Sequence, residues 1–447
     1  MLLLPLLLSA CATLCAPAPP PLPPNFLVVV LDDVGLDQVG AFGMGADPPA
    51  LPTLDALAAE GVRFTSAYVS PVCSPTRAML LTGRYGRRTG IGRTVDPRSA
   101  RVELPADEVG LAEVLATAPV PYDSAVVGKW HLAGPRTPSG LDHPATMGFR
   151  HARTAVGNLG PESQVVARNA YRLWPRVVDG VEVMVDRDAT EVQTEDAVAL
   201  LGELQEPWLM WLAYNAPHAP WIDDDGKHAP VARYRAMLEG VDAGLGRVLA
   251  SLDPAERART LVVVVSDNGT PGAIVSALYE DYGAKGEVVD LATRVPWILA
   301  GAGVQARGEV SRALVHAVDL FPTLASLAGI DPEAPAEGTA WPEELDGRSF
   351  AHLLRTPDAA HRDHVYLEHF GPNGVRRQRR SDRRAVRTAT HLQVRLRGAR
   401  DALFAYPPDS LEPGPDLLAP EAEPDEATLR LAEELGGLID RYTQELR

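Results

Sequence analysis

The sequence predicts an α/β fold, with a large, mixed but mostly parallel central sheet flanked by helices and a smaller C-terminal α+β subdomain. Three runs are wholly apolar, at residues 26–31, 208–213 and 261–265. Such runs are typical of strands that are buried on both faces of a sheet. From about residue 361 the pattern changes to short segments separated by turn residues, which indicates an additional antiparallel sheet.

The other elements follow from periodicity and from residues that end helices. A short helix is predicted at residues 54–61, where Gly61 ends it. Further helices are predicted at residues 104–116, 188–204, 229–252, 319–327 and 427–446, and further strands at 64–69, 123–127, 364–370, 384–390 and 392–397. Residues 133–185 have no clear period, and substrate-selecting insertions commonly occupy such stretches.

The bulk composition is that of a soluble globular protein. The chain has 447 residues, of which 46% are hydrophobic and 23% charged, enough for one large domain and a smaller one. We therefore divide it into a leader at 1–24, a main domain at 25–360 and a C-terminal subdomain at 361–447. The net charge of −17 argues against a nucleic-acid-binding protein, because such proteins need a basic surface. Three cysteines are too few for a disulfide framework.

The first 24 residues are predicted to lie outside the fold. Residues 2–8 are apolar, but far fewer than the ~20 residues that a membrane-spanning helix needs. The following Leu8-Ser9-Ala10-Cys11 resembles a bacterial lipobox, which implies lipidation at Cys11 and an exported lipoprotein of the cell envelope, in the periplasm or at the cell surface. A Pro-rich tether follows at 16–24. No Lys or Arg precedes the apolar run, which departs from ordinary secretory signals, and the alternative is an apolar leader with a chance cysteine.

Oxygen-bearing side chains follow two of the predicted buried strands. Asp32 and Asp33 come directly after the first strand, and Asp267 and Asn268 follow the run at 261–265. Open α/β sheets place their ligands at the carboxyl ends of the strands, and adjacent carboxylates repel each other unless a cation lies between them. Hard oxygen donors suit Ca²⁺ better than zinc, with Mg²⁺ as the alternative. For the first pair alone, an Asx-turn with a helix cap is the other interpretation.

The stretch Cys73-Ser74-Pro75-Thr76-Arg77 combines a cysteine, a proline and an arginine at alternate positions. Taken alone, it fits equally well a buried cysteine at the start of a helix with Pro75 in the first turn. Two further blocks follow predicted strands, Gly128-Lys129-Trp130-His131-Leu132 and Asn215-Ala216-Pro217-His218. Lys129 and His131, two residues apart on extended chain, can face the same cleft.

Together these blocks resemble, in the same order along residues 25–327, the formylglycine-dependent (type I) sulfatases, an arylsulfatase-like family of the alkaline-phosphatase-like superfamily. Lys285 lies nine residues before Arg294-Val295-Pro296, as in the family. One departure is that Asp290-Leu291-Ala292 replaces the Glu-Gly-Gly of the family, so the loop that would position Lys285 has changed.

The resemblance implies hydrolysis of sulfate esters to inorganic sulfate and an alcohol. A maturase would oxidise Cys73 to Cα-formylglycine, whose hydrate is the nucleophile. The implied ligands of a divalent cation, Ca²⁺ or alternatively Mg²⁺, are Asp32, Asp33, Asp267, Asn268 and the modified Cys73.

The resemblance also implies roles for the basic residues. Arg77 and Lys129 would hold position 73 and its charge. His218 or Lys285 would protonate the leaving alcohol, and His131 would accept the proton whose loss releases sulfate.

Two other functions remain open at this stage: a phosphonate or phosphate ester hydrolase of the same superfamily, and an inactive, lipid-anchored binding protein. The substrate is predicted to be a sulfated carbohydrate, with an aryl or alkyl sulfate as the alternative. A cluster of arginines lies between two C-terminal strands and is predicted to grip a polyanionic substrate, the alternative being a solvated basic loop. Its members are Arg376, Arg377, Arg379, Arg380, Arg383, Arg384 and Arg387.

Overall fold

The computed structural model describes residues 22–160, 170–222, 228–374 and 381–445. Its strands are β1 Asn25–Leu31, β2 Val62–Phe64, β3 Ala67–Tyr68, β4 Asp123–Lys129, β5 His151–Ala155, β6 Leu173–Val178, β7 Val181–Asp186, β8 Trp208–Ala213, β9 Thr260–Ser266, β10 Trp297–Gly301, β11 Val310–Ser311, β12 Val315–His316, β13 His364–Gly371, β14 Ser381–Thr388, β15 His391–Leu396 and β16 Ala402–Ala405. Its helices are α1 Pro52–Glu60, α2 Cys73–Thr82, α3 Gly86–Thr89, α4 Leu111–Ala116, α5 His143–Thr146, α6 Ala189–Leu201, α7 Pro230–Ser251, α8 Pro254–Arg259, α9 Asp290–Thr293, α10 Leu320–Leu327 and α11 Glu426–Glu445.

The central sheet confirms the predicted fold class. Within the described residues it has ten strands in the order β11-β2-β10-β9-β1-β8-β4-β5-β6-β7. The middle five, from β9 to β5, are parallel, whereas antiparallel pairs lie towards both edges. Because β1, β4, β8 and β9 run in the same direction, their carboxyl ends meet at one edge of the sheet.

Strand β1 lies at the centre of this sheet and all seven of its residues are buried. Its side chains alternate between two apolar layers, as the period of two requires. Phe26, Val28 and Val30 pack on the side of α2, α4 and α10, and the alternate residues pack on the side of α1, α6 and α7. Complete burial of each such side chain contributes about 1.5–3 kcal/mol, so the strand that carries the first Asp pair is firmly fixed.

The C-terminal subdomain is an antiparallel sheet in the order β13-β14-β15-β16. Helix α11 packs on one of its faces through Leu435 and Ile439, and the other face covers the main domain near Tyr68 and Val288. None of the helices in the described residues is both long and apolar enough to cross a membrane.

Several local predictions were wrong. The helix predicted at 104–116 forms only as α4, because Pro105 does not continue a helix and Gly110 is extended, with ψ 151°. The strand predicted at 64–69 is divided into β2 and β3. The stretch 133–185 contains β5, β6 and β7, which extend the central sheet, and β16 was not predicted.

Candidate active site

Cys73 is the first residue of α2, and the helix is buried along its whole length. Thr76 accepts a hydrogen bond from the Ser70 N–H at 3.0 Å, which ties the first turn to the loop before it. At the other end Gly83 takes φ 67° and its N–H donates to the Met79 carbonyl. This left-handed position favours glycine. The helix therefore fixes the cysteine, itself 1% exposed, in the interior of the protein.

The Cys73 sulfur faces His131. Its Sγ lies 3.3 Å from His131 Nδ1 and 3.9 Å from Thr94 Oγ1, a neighbour that no sequence motif indicated. Burial and then the positive charges of Lys129 and Arg77 hold the pKa of His131 well below its usual value. The imidazole is therefore neutral near pH 7.

Arg77 connects α2 to the ends of two strands. Its Nε and Nη2 donate to Asp267 Oδ2 at 2.9 and 2.8 Å, and its Nη1 donates to the Lys129 carbonyl at 2.7 Å. Lys129 in turn pairs with Asp32, and these four side chains are buried. The buried, positively charged side chains of Arg77 and Lys129 thus hold the carboxylates that follow β1 and β9.

The four side chains that were predicted to bind a cation through their oxygens lie together. Asn268 Nδ2 donates to Asp33 Oδ1 at 2.8 Å, and the Asp33 N–H donates to Asp267 Oδ1 at 3.3 Å. Burial, and then the nearby Asp267, raise the pKa of Asp32 to about 7. Burial also acts to raise the pKa of Asp33, but Lys285 and then His218 outweigh it and hold that pKa below its usual value.

His218 lies against the same carboxylates. Its Nδ1 bonds to the Ala219 carbonyl at 2.7 Å, so its Nε2 faces Asp33 Oδ2 at 3.8 Å. Burial lowers its pKa to about 3 despite the opposing effect of Asp33. Ligand atoms of Asp32, Asp33 and His218 lie within 4.8 Å of one another, so His218, predicted only as a proton donor, also lies where a metal ligand could be.

Lys285 lies at the site although the following loop departs from the family pattern. Its ammonium group pairs with Asp33, and its N–H donates to the Thr270 carbonyl at 3.2 Å. The next residue, Gly286, donates to the Pro71 carbonyl at 2.9 Å. Burial acts to lower the pKa of Lys285, but Asp33 outweighs it and the pKa is raised. Backbone contacts on both sides therefore position this lysine.

The donor set fits a hard divalent cation. Among the described residues, Asp32 Oδ1 and Asn268 Oδ1 are buried without a hydrogen-bond partner. A buried oxygen without a partner costs about 1–3 kcal/mol, which coordination to a cation would remove. Carboxylate and amide oxygens are ligands that Ca²⁺ and Mg²⁺ prefer.

The structure corrects the predicted arginine cluster. Arg376, Arg377, Arg379 and Arg380 lie outside the described residues. Arg387 is 2% exposed and pairs with Asp290 at 3.0 Å, so its predicted role in gripping substrate was wrong. Arg384 pairs with Asp382. Of the described members, Arg383 is the exposed one.

Comparison with known proteins identifies the family of this chain. The sulfatase family model matches residues 24–330. N-acetylgalactosamine-6-sulfatase of Rattus norvegicus is 32% identical over 361 residues, which cover 74% of this chain and 66% of that enzyme. The chain thus spans about two thirds of the length of this relative.

Solved structures share the whole fold. The crystal structure of Ps i-CgsB in complex with k-i-k-neocarrahexaose has a TM-score of 0.76 at 24% identity, over 95% of this chain and 94% of that one. BT4656, solved with its substrate D-glucosamine-2-N,6-O-disulfate, has a TM-score of 0.72 at 17% identity, over 95% and 98% of the two chains. With the family model covering more than half of its residues, the chain belongs to the sulfatase family.

Proposed function

We propose that the protein hydrolyses sulfate esters of a carbohydrate to inorganic sulfate and an alcohol. The observation that supports this best is that α2 carries both Cys73, at its buried start, and Arg77, which bonds to Asp267 in the cluster where Asp32 Oδ1 and Asn268 Oδ1 have no partner among the described residues. The family match and the sulfated-sugar relatives support the substrate class. A buried cysteine with a purely structural role would not require these charged side chains around it.

The charges of the site favour a doubly charged cation. Three carboxylates, Asp32, Asp33 and Asp267, meet three cationic side chains, Arg77, Lys129 and Lys285. These charges cancel, which leaves nothing to offset an incoming anion. A divalent cation held by Asp32, Asp33, Asp267 and Asn268 would add two positive charges, enough for a singly charged sulfate monoester and one oxyanion at position 73. We favour Ca²⁺, with Mg²⁺ as the alternative.

We further propose that a maturase oxidises Cys73 to Cα-formylglycine. The aldehyde hydrate would supply an oxygen nucleophile, and the cation would make that oxygen more acidic and polarise the sulfate. Arg77 orients position 73 because it sits one helical turn away and is tied to Asp267. The hydrogen bond to Asp267 already holds the Arg77 side chain in place for this role.

Proton transfer is assigned to His131 and Lys285. His131 Nδ1, 3.3 Å from the sulfur, accepts a proton from the group at position 73. His218 Nε2 and the Lys285 ammonium both face Asp33, but neutral His218 carries its proton on Nδ1, which donates to the Ala219 carbonyl. The lowered pKa of His218 and the raised pKa of Lys285 leave the lysine as the charged group at neutral pH. Lys285 is therefore the donor available to a departing alcohol.

We also propose that the protein is exported and anchored by a lipid at Cys11, with the maturase and the membrane as its other partners. Support comes only from the leader, where an apolar run precedes Leu8-Ser9-Ala10-Cys11 and a Pro-rich tether. Residues 1–21 lie outside the described part of the chain. Metabolic labelling with a radioactive fatty acid would test it, and Cys11→Ser should abolish the label.

The function is tested by sulfate release from protein co-expressed with a maturase. We expect turnover of 4-nitrophenyl sulfate and of N-acetylgalactosamine 6-sulfate, and at most slow turnover of bis(4-nitrophenyl) phosphate. Peptide mass spectrometry should find the mass of an aldehyde in place of a thiol at position 73. Faster hydrolysis of the phosphodiester would favour the phosphate ester alternative. No turnover, with an unmodified Cys73 and no bound metal, would favour the inactive binding protein.

A further inference from the structure

A loop and a strand from the two domains meet beside Cys73. The loop is residues 92–94, whose last member, Thr94, lies 3.9 Å from the Cys73 sulfur. Asn373, 5% exposed, clamps this loop to the C-terminal subdomain: its Oδ1 accepts from the N–H groups of Gly92 and Arg93 at 3.0 Å each. Its Nδ2 donates to the Arg93 carbonyl at 3.0 Å.

This clamp fixes the backbone of Arg93 on both sides while its side chain stays exposed. Gly92 is required at the junction, because a Cβ there would come within 2.3 Å of the Phe370 ring. The Phe370 N–H also donates to the Gly92 carbonyl at 3.0 Å. The two domains therefore approach closely next to the reactive position.

Two more basic side chains lie at the same junction. His369 on β13 lies opposite Arg383 on β14 in the register of the antiparallel sheet. Arg383 Nη1 donates to the carbonyl of Gly286 at 3.0 Å, the residue after Lys285. Burial, and then the positive charges of Arg383 and Arg93, hold the pKa of His369 below its usual value. The three basic side chains are therefore near neighbours.

The guanidinium groups of Arg93 and Arg383 have no acidic partner among the residues that the structure describes. Acids at neighbouring positions are engaged elsewhere: Asp382 pairs with Arg87 and Arg384, and Asp96 pairs with Arg98. Basic side chains gathered in this way in a chain of net charge −17 indicate an anionic ligand.

We propose that Arg93, His369 and Arg383 form a subsite for a second anionic group of the substrate, a sulfate or a carboxylate on the sugar that carries the scissile sulfate or on the next one. The planar guanidinium group of arginine binds such oxyanions through two hydrogen bonds to two oxygens. This subsite rests on the proposed sulfatase activity, since it lies beside Cys73 and Lys285, and it would make the enzyme prefer substrates with two anionic groups.

Binding to the unmodified protein, produced without a maturase, tests the subsite apart from turnover. The probes are N-acetylgalactosamine 6-sulfate, its 4,6-disulfate, and the disaccharide of glucuronate with N-acetylgalactosamine 6-sulfate. By calorimetry we expect the disulfate or the uronate disaccharide to bind about tenfold more tightly than the monosulfate. In the double variant Arg93→Gln, Arg383→Gln that preference should fall to about twofold or less, and it should weaken with added salt in the wild-type protein.

Arg247→Gln is the matched control for the single variant Arg93→Gln, because each removes one positive charge from an exposed arginine, and Arg247 lies on α7. Arg247 lies 13 residues along α7 from Tyr234, about 20 Å at 1.5 Å per residue, and Tyr234 bonds to the Asp33 carbonyl. Its preference among the probes should equal that of the wild type. Arg93→Gln alone is the second variant, since Arg383 also holds Gly286 and so could affect Lys285.

The outcomes separate the two proposals. A preference for two anionic groups that survives the double variant, or equal binding of all three probes by the wild type, would overturn the subsite. The choice between disulfate and uronate disaccharide identifies the second anion. If the matured enzyme releases no sulfate although the preference and its loss are both observed, the sulfatase activity fails and the anion subsite stands.

Discussion

Two buried acidic clusters of this chain can be compared directly: the cluster at the strand ends, and the cluster around Asp319 just before α10. Asp319 accepts hydrogen bonds from the backbone of His316 at 2.9 Å and of Arg348 at 2.8 Å. It also pairs with Arg362 and His361. Burial acts to raise its pKa, but Arg362 outweighs burial and the pKa is lowered.

The strand-end cluster is equally buried but not equally satisfied. Asp32 Oδ1 and Asn268 Oδ1 have no donor among the described residues, and Asp32 has a raised pKa because burial and the charge of Asp267 oppose its ionisation. Both oxygens of Asp319 are thus bonded by donors of the chain, whereas at the strand ends one oxygen of Asp32 and one of Asn268 have no donor among the described residues. That difference points to a ligand from outside the chain.

The largest effect expected is on turnover. Cys73→Ala removes the proposed nucleophile, so kcat/KM for 4-nitrophenyl sulfate should fall about 10⁴-fold or more. The alanine replaces a small buried group, and the midpoint of thermal unfolding should change little. Asp319→Asn, assayed well below its own unfolding temperature, should keep kcat within about threefold. Appreciable turnover by Cys73→Ala would contradict the assignment of the nucleophile.

The second effect is stabilisation by metal. A cation that binds only the folded state adds RT ln(1 + [L]/Kd), about 2.7 kcal/mol at a hundredfold excess over Kd. We expect Ca²⁺ to stabilise the wild type and Asp319→Asn by equal amounts, measured as denaturant unfolding with and without chelator. Asp267→Asn should show no such increment and no activity. An increment that survives in Asp267→Asn would place the cation elsewhere.

The third effect is on stability without metal. Asp319→Asn leaves Arg362, 5% exposed, without its carboxylate, and breaking a buried pair in this way costs about 3–5 kcal/mol. Asp440→Asn is the control, because it removes the same charge from a pair with Arg395 in which Asp440 is 60% exposed. That change should cost less than about 1 kcal/mol. A similar cost for both variants would show that the Asp319 cluster is not a structural one.

The sequence was sufficient for the strand-end cluster because its information is local. Each polar pair directly follows an apolar strand, and parallel strands bring their carboxyl ends to one edge of the sheet. The period of two does not by itself explain why Lys129 and His131 both reach the site, because β4 ends at Lys129 and His131 has φ 62°. Nothing local, however, relates Thr94 to Cys73 or Asn373 to Arg93, since these contacts join separate segments whose meeting depends on how the two domains pack.

The arginine cluster shows the same limit. Seven arginines in twelve positions indicate a basic surface, but they do not show which of these arginines faces solvent. Arg383 and Arg387 are four residues apart on β14 and so lie on the same face of the strand. Arg387 is buried against Asp290, whereas Arg383 stays exposed beside Gly286. Composition and alternation could not separate these two arginines, because the difference depends on which parts of the main domain cover each end of β14.

The last effect is on acid stability, and it tests a histidine of the Asp319 cluster. His316 is buried, its Nδ1 accepts from the Val318 N–H at 3.5 Å, and burial lowers its pKa to about 3 from 6.5. Between those two values the unfolded chain binds a proton that the folded one does not, so stability falls as the pH falls from 6.5. The slope is about 1.4 kcal/mol per pH unit.

His316→Asn keeps a capping acceptor and cannot titrate. The free energy of unfolding, measured by urea titration from pH 4.5 to 7.5, should therefore fall less steeply in His316→Asn, by about one proton. Asp319, whose pKa is lowered, contributes in the same direction in both proteins and cancels from the difference. Equal slopes for the two proteins would show that His316 takes up its proton without unfolding.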